Sequence, residues 1–178
     1  MAEGYRTLSS ERVYEGLRVS VRRDRVELAE GRVIERETVE HPDAVVVVAL
    51  DGARNVLLVR QYRAPLRQTL LELPAGTIEQ GEDPMTCAQR ELREETGFAA
   101  GHFQPLGEFW TTPGFCTERI YAFLATKLRP DALPADDDEQ IEVERMALGE
   151  ALEKARTGQF HDAKTIAALA MAVPHLPK

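Results

Sequence analysis

The seven residues from Ala44 to Leu50 read AVVVVAL, with no polar position among them. A strand with one face in water alternates, because successive side chains point to opposite faces. An unbroken apolar run therefore predicts a strand covered on both faces, which only a layered domain can supply. Asp51-Gly52 offers a turn, and Asn55 to Tyr62 (NVLLVRQY) offers a second apolar strand as its hairpin partner. Leu70 to Leu73 is a short apolar stretch broken by Pro74-Ala75-Gly76; Ile120 to Leu124 reads as a strand, and Ile141 to Met146 alternates. Leu148 to Arg156 and Ala163 to Val173 have helical spacing, and Gly158 stops the first. Asp131 to Glu139 is acidic and reads as a loop. Strands around a few helices predict an α+β chain or an αβα sandwich.

The chain upstream of this core has a different texture. Leu17 to Val26 alternates apolar and basic residues, Glu30-Gly31 offers a turn, and Val33 to Val39 reads as another short strand. This pattern predicts a small antiparallel β meander over residues 1–43, closed by His41-Pro42-Asp43, with a second domain over 44–178. Within 178 residues, 43% hydrophobic content suffices for one ordinary core. A net charge of −8 argues against nucleic acid or an anionic membrane as the main partner, while a phosphorylated substrate is compatible if metal ions or local arginines offset the repulsion. Cys87 and Cys116 show no Cys-x-x-Cys spacing, which fits a reducing compartment and disfavours zinc. No segment has the ~20 apolar residues of a membrane span, and the first residues lack a signal core, so the expectation is a cytoplasmic protein.

The chemistry is concentrated in Gly76 to Phe98, GTIEQGEDPMTCAQRELREETGF. Asp83 suits an N-cap, Pro84 the first helical position and Gly97 the C′ stop, so a helix is expected from Pro84 to Thr96, burying Met85, Ala88 and Leu92. Glu91, Glu94 and Glu95 crowd its last turns. Like charges three or four residues apart cost a few tenths of a kcal/mol per pair. Carboxylates near a helix C-terminus also oppose the macrodipole by roughly 0.3–1 kcal/mol each. Arg90 and Arg93 offset part of this but are expected to point toward other faces. A bare cluster of this kind is commonly a solvated face. A hard cation held by the carboxylates is the alternative, and an all-oxygen donor set suits magnesium or manganese.

Gly76, Glu82 and then Arg90-Glu91-Leu92-Arg93-Glu94-Glu95-Thr96-Gly97-Phe98 resemble the Nudix signature at every fixed position, with Phe98 where an aliphatic residue is commoner. The resemblance implies an αβα sandwich with a mixed sheet and hydrolysis of a nucleoside diphosphate linked to another group. It implies that Glu91 and Glu95 ligate divalent metal with help from Glu94 and the backbone carbonyl of Ala75. Glu82 and Arg90 become an internal salt bridge. Two divalent ions about 4 Å apart would clamp a diphosphate and activate water near neutral pH.

Pro113, sixteen residues after Gly97 in TTPGFCTER, is similar to the ADP-ribose pyrophosphatase branch of that family. So are LVRQYR (Leu58 to Arg63), LELPAGTIEQGE and GQFHDAKTIAAL. This branch implies magnesium-dependent cleavage of ADP-ribose to AMP and ribose 5-phosphate by a homodimer whose N-terminal strands reach across to the partner. The rival readings are another nucleoside diphosphate derivative, such as a GDP-sugar or dinucleotide, and a non-catalytic ADP-ribose-binding regulator. By the same resemblance Arg63 contacts the diphosphate, although pairing with a local glutamate accounts for it equally well. Glu118 reaches substrate in the other subunit. Arg36 is a weaker candidate for the same role, an exposed strand arginine being the plainer account. By the same resemblance the general base lies in the acidic loop, where Glu139 aligns with the second, metal-ligating glutamate of a Glu-x-Glu pattern and Asp137, two residues earlier, occupies the place of the first. Either Asp137 acts through a water or Glu139 takes over. Cys87 reads as packing, the four histidines as scattered, and Trp110 as a core ring.

Overall fold

The computed structural model describes residues 4–134 and 141–176. The chain divides into two compact units, Met1–Asp43 with Trp110–Arg119, and Ala44–Phe109 with Ile120–Lys178. The expected boundary at residue 43 differs from this division in placing 110–119 with the second unit.

The first unit is an antiparallel sheet of β1 (Arg6–Glu15), β2 (Ser20–Glu27) and β3 (Val33–Glu40), in that order. Opposite charges face each other across its ladders, as at Glu11↔Arg23, Arg23↔Glu37 and Asp24↔Arg36. The segment after Trp110 joins this unit through backbone bonds, Val39 N–H to the carbonyl of Phe115 at 2.7 Å and Thr117 N–H to that of Val39 at 3.0 Å. The meander has one strand more than the two segments read from the sequence. Every residue of β1 is exposed, so neither face imposes a hydrophobic period for a sequence reading to detect.

In the second unit, β4 (Ala44–Ala49) lies in a mixed sheet of order β7-β4-β9-β8, with β7 spanning Ala75–Thr77, β8 Phe98–Trp110 and β9 Arg119–Pro130. β4 runs parallel to β9 and antiparallel to β7. Among the described residues three α-helices accompany the strands: α1 (Pro84–Thr96), α2 (Leu148–Arg156) and α3 (Ala163–Ala172). The apolar run has the cause expected of it. Val46 and Val48 pack with Ala151 of α2 and Ala168 and Leu169 of α3, while Val45 and Val47 pack with Cys87, Ala88 and Leu92 of α1. Val45 to Val48 are each fully buried, which stabilises the fold by roughly 1.5 kcal/mol or more per side chain. Helices on both faces of a mixed sheet make the expected αβα sandwich.

Two expectations are corrected. The strand β5 (Asn55–Arg63) is not the hairpin partner of β4; a single bridge, Leu50↔Val56, joins the two. β5 instead forms a separate antiparallel sheet between β6 (Gln68–Glu72) and β10 (Ile141–Ala147). The Asp51 carboxylate accepts from the backbone of Ala53 at 2.9 Å and Asn55 at 2.8 Å, fixing a turn after which the chain leaves the first sheet. Val56 to Val59, almost wholly buried, then form the centre of the second sheet. The other correction is β8, a thirteen-residue strand that had no sequence assignment. It contains Gly101, Pro105 and Gly107, which signal a loop but are tolerated on an edge strand, the position β8 holds. Its last residue, Trp110, is 53% exposed rather than a core ring.

Candidate active site

Helix α1 forms as its caps dictate. The Asp83 side chain accepts from the backbone N–H groups of Met85 and Thr86 at 3.0 and 3.2 Å, Pro84 follows it, and Gly97 ends the helix at φ 76°. Its inner face buries Ala88 and Leu92 and also, against ordinary preference, Glu91 and Glu95.

Strand β7, before the helix, receives these two carboxylates. Ala75 N–H donates to Glu95 Oε2 at 2.9 Å. A Cβ on Gly76 would lie 1.9 Å from the Glu91 carboxyl carbon, so glycine is required there by the close approach of Glu91. Glu82 accepts from Arg90 Nε and Nη2 at 3.0 Å each, the expected salt bridge. Arg90 was expected to face elsewhere, but its Nη1 donates to Glu91 at 2.7 Å and to Glu94 at 2.8 Å. Arg90 and Glu94 are themselves four residues apart on the helix, so the rule that brings the glutamates together also brings the arginine to them. Arg93 does turn away, donating to Asp131 at 3.0 Å.

Hydrogen bonds to Glu82, opposed by burial, raise the pKa of Arg90; bonding to Arg90 holds Glu82 below the ordinary carboxylate range. Three carboxylates share this one guanidinium, so the corner keeps a surplus of negative charge. Cys87 is fully buried, and burial together with Glu91 and Glu82 pushes its thiol pKa far up, in keeping with packing.

Among the described residues no three His, Cys, Asp or Glu side chains form a complete cation site by themselves. The donors nevertheless fit a hard divalent ion: buried carboxylate oxygens beside a backbone turn, with a charge surplus and no thiolate or imidazole.

A second ionic group lies in the same unit. Arg63, at the end of β5, donates to Glu72 through Nε at 2.8 Å and Nη2 at 2.6 Å, the local pairing the sequence left open. Glu72 is 1% exposed and also accepts from Lys164. Lys164 lies 3.0 Å from Asp162, which caps α3 through Thr165 N–H at 3.0 Å. Glu95 and Asp162 both contribute to the raised pKa of Arg63, whose largest cause is the Glu72 bond. Glu72 and Lys164 were missed in the sequence, where a glutamate among leucines in Leu70-Leu71-Glu72-Leu73 was the available signal.

In the first unit, Glu118 accepts from Thr111 Oγ1 at 2.7 Å and lies 3.5 Å from His41 Nδ1. Pro113 occupies an exposed turn closed by Cys116 N–H to the Thr112 carbonyl at 3.0 Å. Arg36 is an exposed strand residue donating to the Glu35 carbonyl at 3.2 Å. Asp137 and Glu139 lie outside the described residues.

The family model for the NUDIX domain matches residues 40–169. The chain belongs to the Nudix family. Its Nudix domain thus takes in both ionic groups. A relative named methanol dehydrogenase activator, from Bacillus methanolicus, is 38% identical over 166 residues, covering 92% of this chain and 90% of that one. An ADP-ribose pyrophosphatase from Bacillus subtilis is 37% identical over the same shares of the two chains. An ADP-ribose pyrophosphatase from Mycobacterium tuberculosis is 41% identical over 80% of this chain and 70% of that one. A crystal structure described as that of an ADP compounds hydrolase superposes with a TM-score of 0.88 at 24% identity, covering 98% of this chain and 95% of that one, which speaks for the Nudix fold alone. Among the described residues no helix is long and apolar enough to cross a membrane.

Proposed function

We propose that this Nudix protein hydrolyses ADP-ribose to AMP and ribose 5-phosphate with magnesium, manganese being the alternative ion. The observation that carries the reading is the buried pair Glu91 and Glu95, held against Ala75 and Gly76 in a corner of surplus negative charge. The two relatives named ADP-ribose pyrophosphatase support the choice of substrate.

In this reading Glu91 and Glu95 would hold the divalent ion, with Glu94, the Ala75 carbonyl and Glu139 as the further ligands. A divalent ion bound there would neutralise diphosphate charge and lower the pKa of a water molecule. Arg63 presents its fork to the diphosphate oxygens, for which a planar guanidinium is suited. Glu139, or Asp137 through a water, takes the proton of the attacking water, and the P–O–P bridge opens to leave the two monophosphates. Glu118 and Arg36 contact substrate from the partner subunit of a homodimer built on the meander of residues 1–43, and Pro113 is a further substrate contact. The enzyme acts in the cytoplasm.

A second reading follows from the relative named as an activator: this chain binds a nucleoside diphosphate to regulate another protein. Retention of Glu91, Glu94 and Glu95 favours hydrolysis.

The test is chromatography of phosphate products after incubation with ADP-ribose, GDP-mannose and a flavin dinucleotide, each with magnesium or manganese. AMP forming fastest from ADP-ribose is expected. Faster cleavage of another compound overturns the substrate, and no cleavage of any overturns the enzyme in favour of the regulator.

A further inference from the structure

Arg63 is engaged along one edge only. Its Nε and Nη2 both donate to Glu72, and among the described residues no hydrogen bond engages Nη1. The side chain keeps 35% of its exposure, while Glu72 keeps 1%. The carboxylate is therefore the buried anchor and the guanidinium the exposed part.

A lone carboxylate so deeply buried would shift its pKa upward and release its charge. Burial does push Glu72 upward, but the Arg63 hydrogen bonds and the charge of Lys164 outweigh it, and the net shift is down. Lys164 adds to what the Arg63 bonds supply. It meets Glu72 from the N-terminal turn of α3 and is itself held by Asp162. Leu73 N–H, one residue past Glu72, donates to Thr165 Oγ1 at 2.9 Å, so the same turn grips the backbone too. Glu72 thus has a fixed backbone, a fixed charge state and a fixed second cation. A forked guanidinium bound by two of its N–H groups to so rigid an anchor can present Nη1 in one direction only. Two residues beyond Leu73 stands Ala75, whose N–H holds Glu95, so one short stretch of chain anchors both Arg63 and a carboxylate of the acidic corner.

We propose that Glu72 is a positioning residue: buttressed by Lys164, it fixes the guanidinium of Arg63 so that the open Nη1 edge faces the diphosphate of the substrate. This rests on the reading of Arg63 as a diphosphate contact. Arginine rather than lysine is needed, because a single ammonium could not hold the anchor along one edge and present another to phosphate.

The test compares KM and kcat for ADP-ribose, with melting temperature, in the full chain and four variants. Arg63→Ala is expected to raise KM about tenfold, the loss of one charge-assisted contact. Glu72→Asp keeps the charge that neutralises Lys164 but draws the carboxylate back by about one C–C bond. It is expected to raise KM several-fold with little change in melting temperature. Arg63→Ala combined with Glu72→Asp should be no worse than Arg63→Ala alone, since Glu72 acts through Arg63. Arg63→Lys, which leaves Glu72 intact should Glu72→Asp not fold, is expected to raise KM as Arg63→Ala does.

An unchanged KM in Arg63→Ala overturns the role of Arg63, and with it the positioning role. A raised KM in Arg63→Ala beside an unchanged KM in Glu72→Asp overturns positioning alone. So does a double variant whose losses add, or an Arg63→Lys enzyme with the original KM. Absence of ADP-ribose turnover by the unaltered protein removes the underlying reading before any variant is compared.

Discussion

Two ionic groups in one domain are built from the same residue types and differ in balance. Around Arg90, three glutamates share one guanidinium. Around Glu72, two cations meet one buried carboxylate, and Asp162 completes an even count of charges. A group with surplus charge is poised for an ion from solution and contributes little to folding by itself, whereas a balanced buried group is complete and its loss leaves a charge stranded. The acidic corner should therefore fail in function before stability, and the balanced group should show its loss in stability as well.

The largest effect expected is in the acidic corner. Glu95→Gln keeps the shape of the side chain and its acceptor for the Ala75 N–H but removes the charge, so turnover of ADP-ribose should fall about a thousandfold, the scale of losing a principal electrostatic group. The melting temperature should stay within a few degrees, because the surplus charge is reduced. Steady-state rates with a thermal melt check both, and unchanged turnover would sink the metal assignment. On the other side of the comparison, Glu72→Ala should cost about 3 kcal/mol in denaturant unfolding, since it leaves Lys164 and Arg63 without their shared partner. A cost below about 1 kcal/mol would place the group among ordinary surface pairs.

Gly76→Ala sharpens the contrast at smaller scale. The added Cβ meets the carboxylate of Glu91, the far end of a flexible side chain that can swing aside. Stability should change by less than about 1 kcal/mol while activity falls about tenfold, since Glu91 can no longer occupy its place. Comparable losses in both would mean that the backbone, rather than Glu91, gives way.

The two groups were not equally legible in the sequence. Helix α1 was readable to the residue because every local signal agreed: Asp83, Pro84 and Gly97 at its ends, and Ala88 and Leu92 on its inner face. The spacing of Glu91 and Glu95 followed from the helix. Arg90 was misplaced because the helical neighbour rule was applied to the glutamates and not to the arginine between them. Glu72 could not be foreseen, since its partners stand nine and ninety-two residues away and meet it only through the pairing of β5 with β6 and the docking of α3. The same limit explains the wrong hairpin. The run Val56 to Val59 announces a buried strand but not which sheet it enters, and one turn at Asp51 decides that. Strand β1 was silent for the opposite reason, having no buried face at all.

Acid titration tests the balanced group more gently. The folded pKa of Glu72 lies below the ordinary glutamate value of 4.5. A depressed carboxylate contributes stability that is fully present above that ordinary value and is lost as pH falls toward and through the folded one. The melting temperature should therefore drop as pH is lowered from about 5 downward. Glu72→Gln should flatten part of that drop but not all of it, because Glu82 and Asp51 are depressed as well. Superimposable acid profiles for the two proteins would mean that Glu72 gains nothing from its cations.

The smallest effect belongs to the meander, where opposite charges abound and even the buried Asp24 keeps 13% of its side chain exposed against 1% for Glu72. Arg6 binds Glu27 at 2.7 Å with 72% of its own side chain in solvent. Water screens such a pair and the long side chain loses freedom in forming it, so Arg6→Ala should change unfolding free energy by less than about 0.5 kcal/mol. The bond is shorter on paper than several in the Arg90 group, and proximity alone would rank it higher. A cost of 2 kcal/mol or more, on the scale expected of a buried charge pair, would show that this strand is covered in solution. Burial would then have to be reassigned across β1, whose exposed Leu8, Val13 and Tyr14 would become part of an interface between copies of the chain.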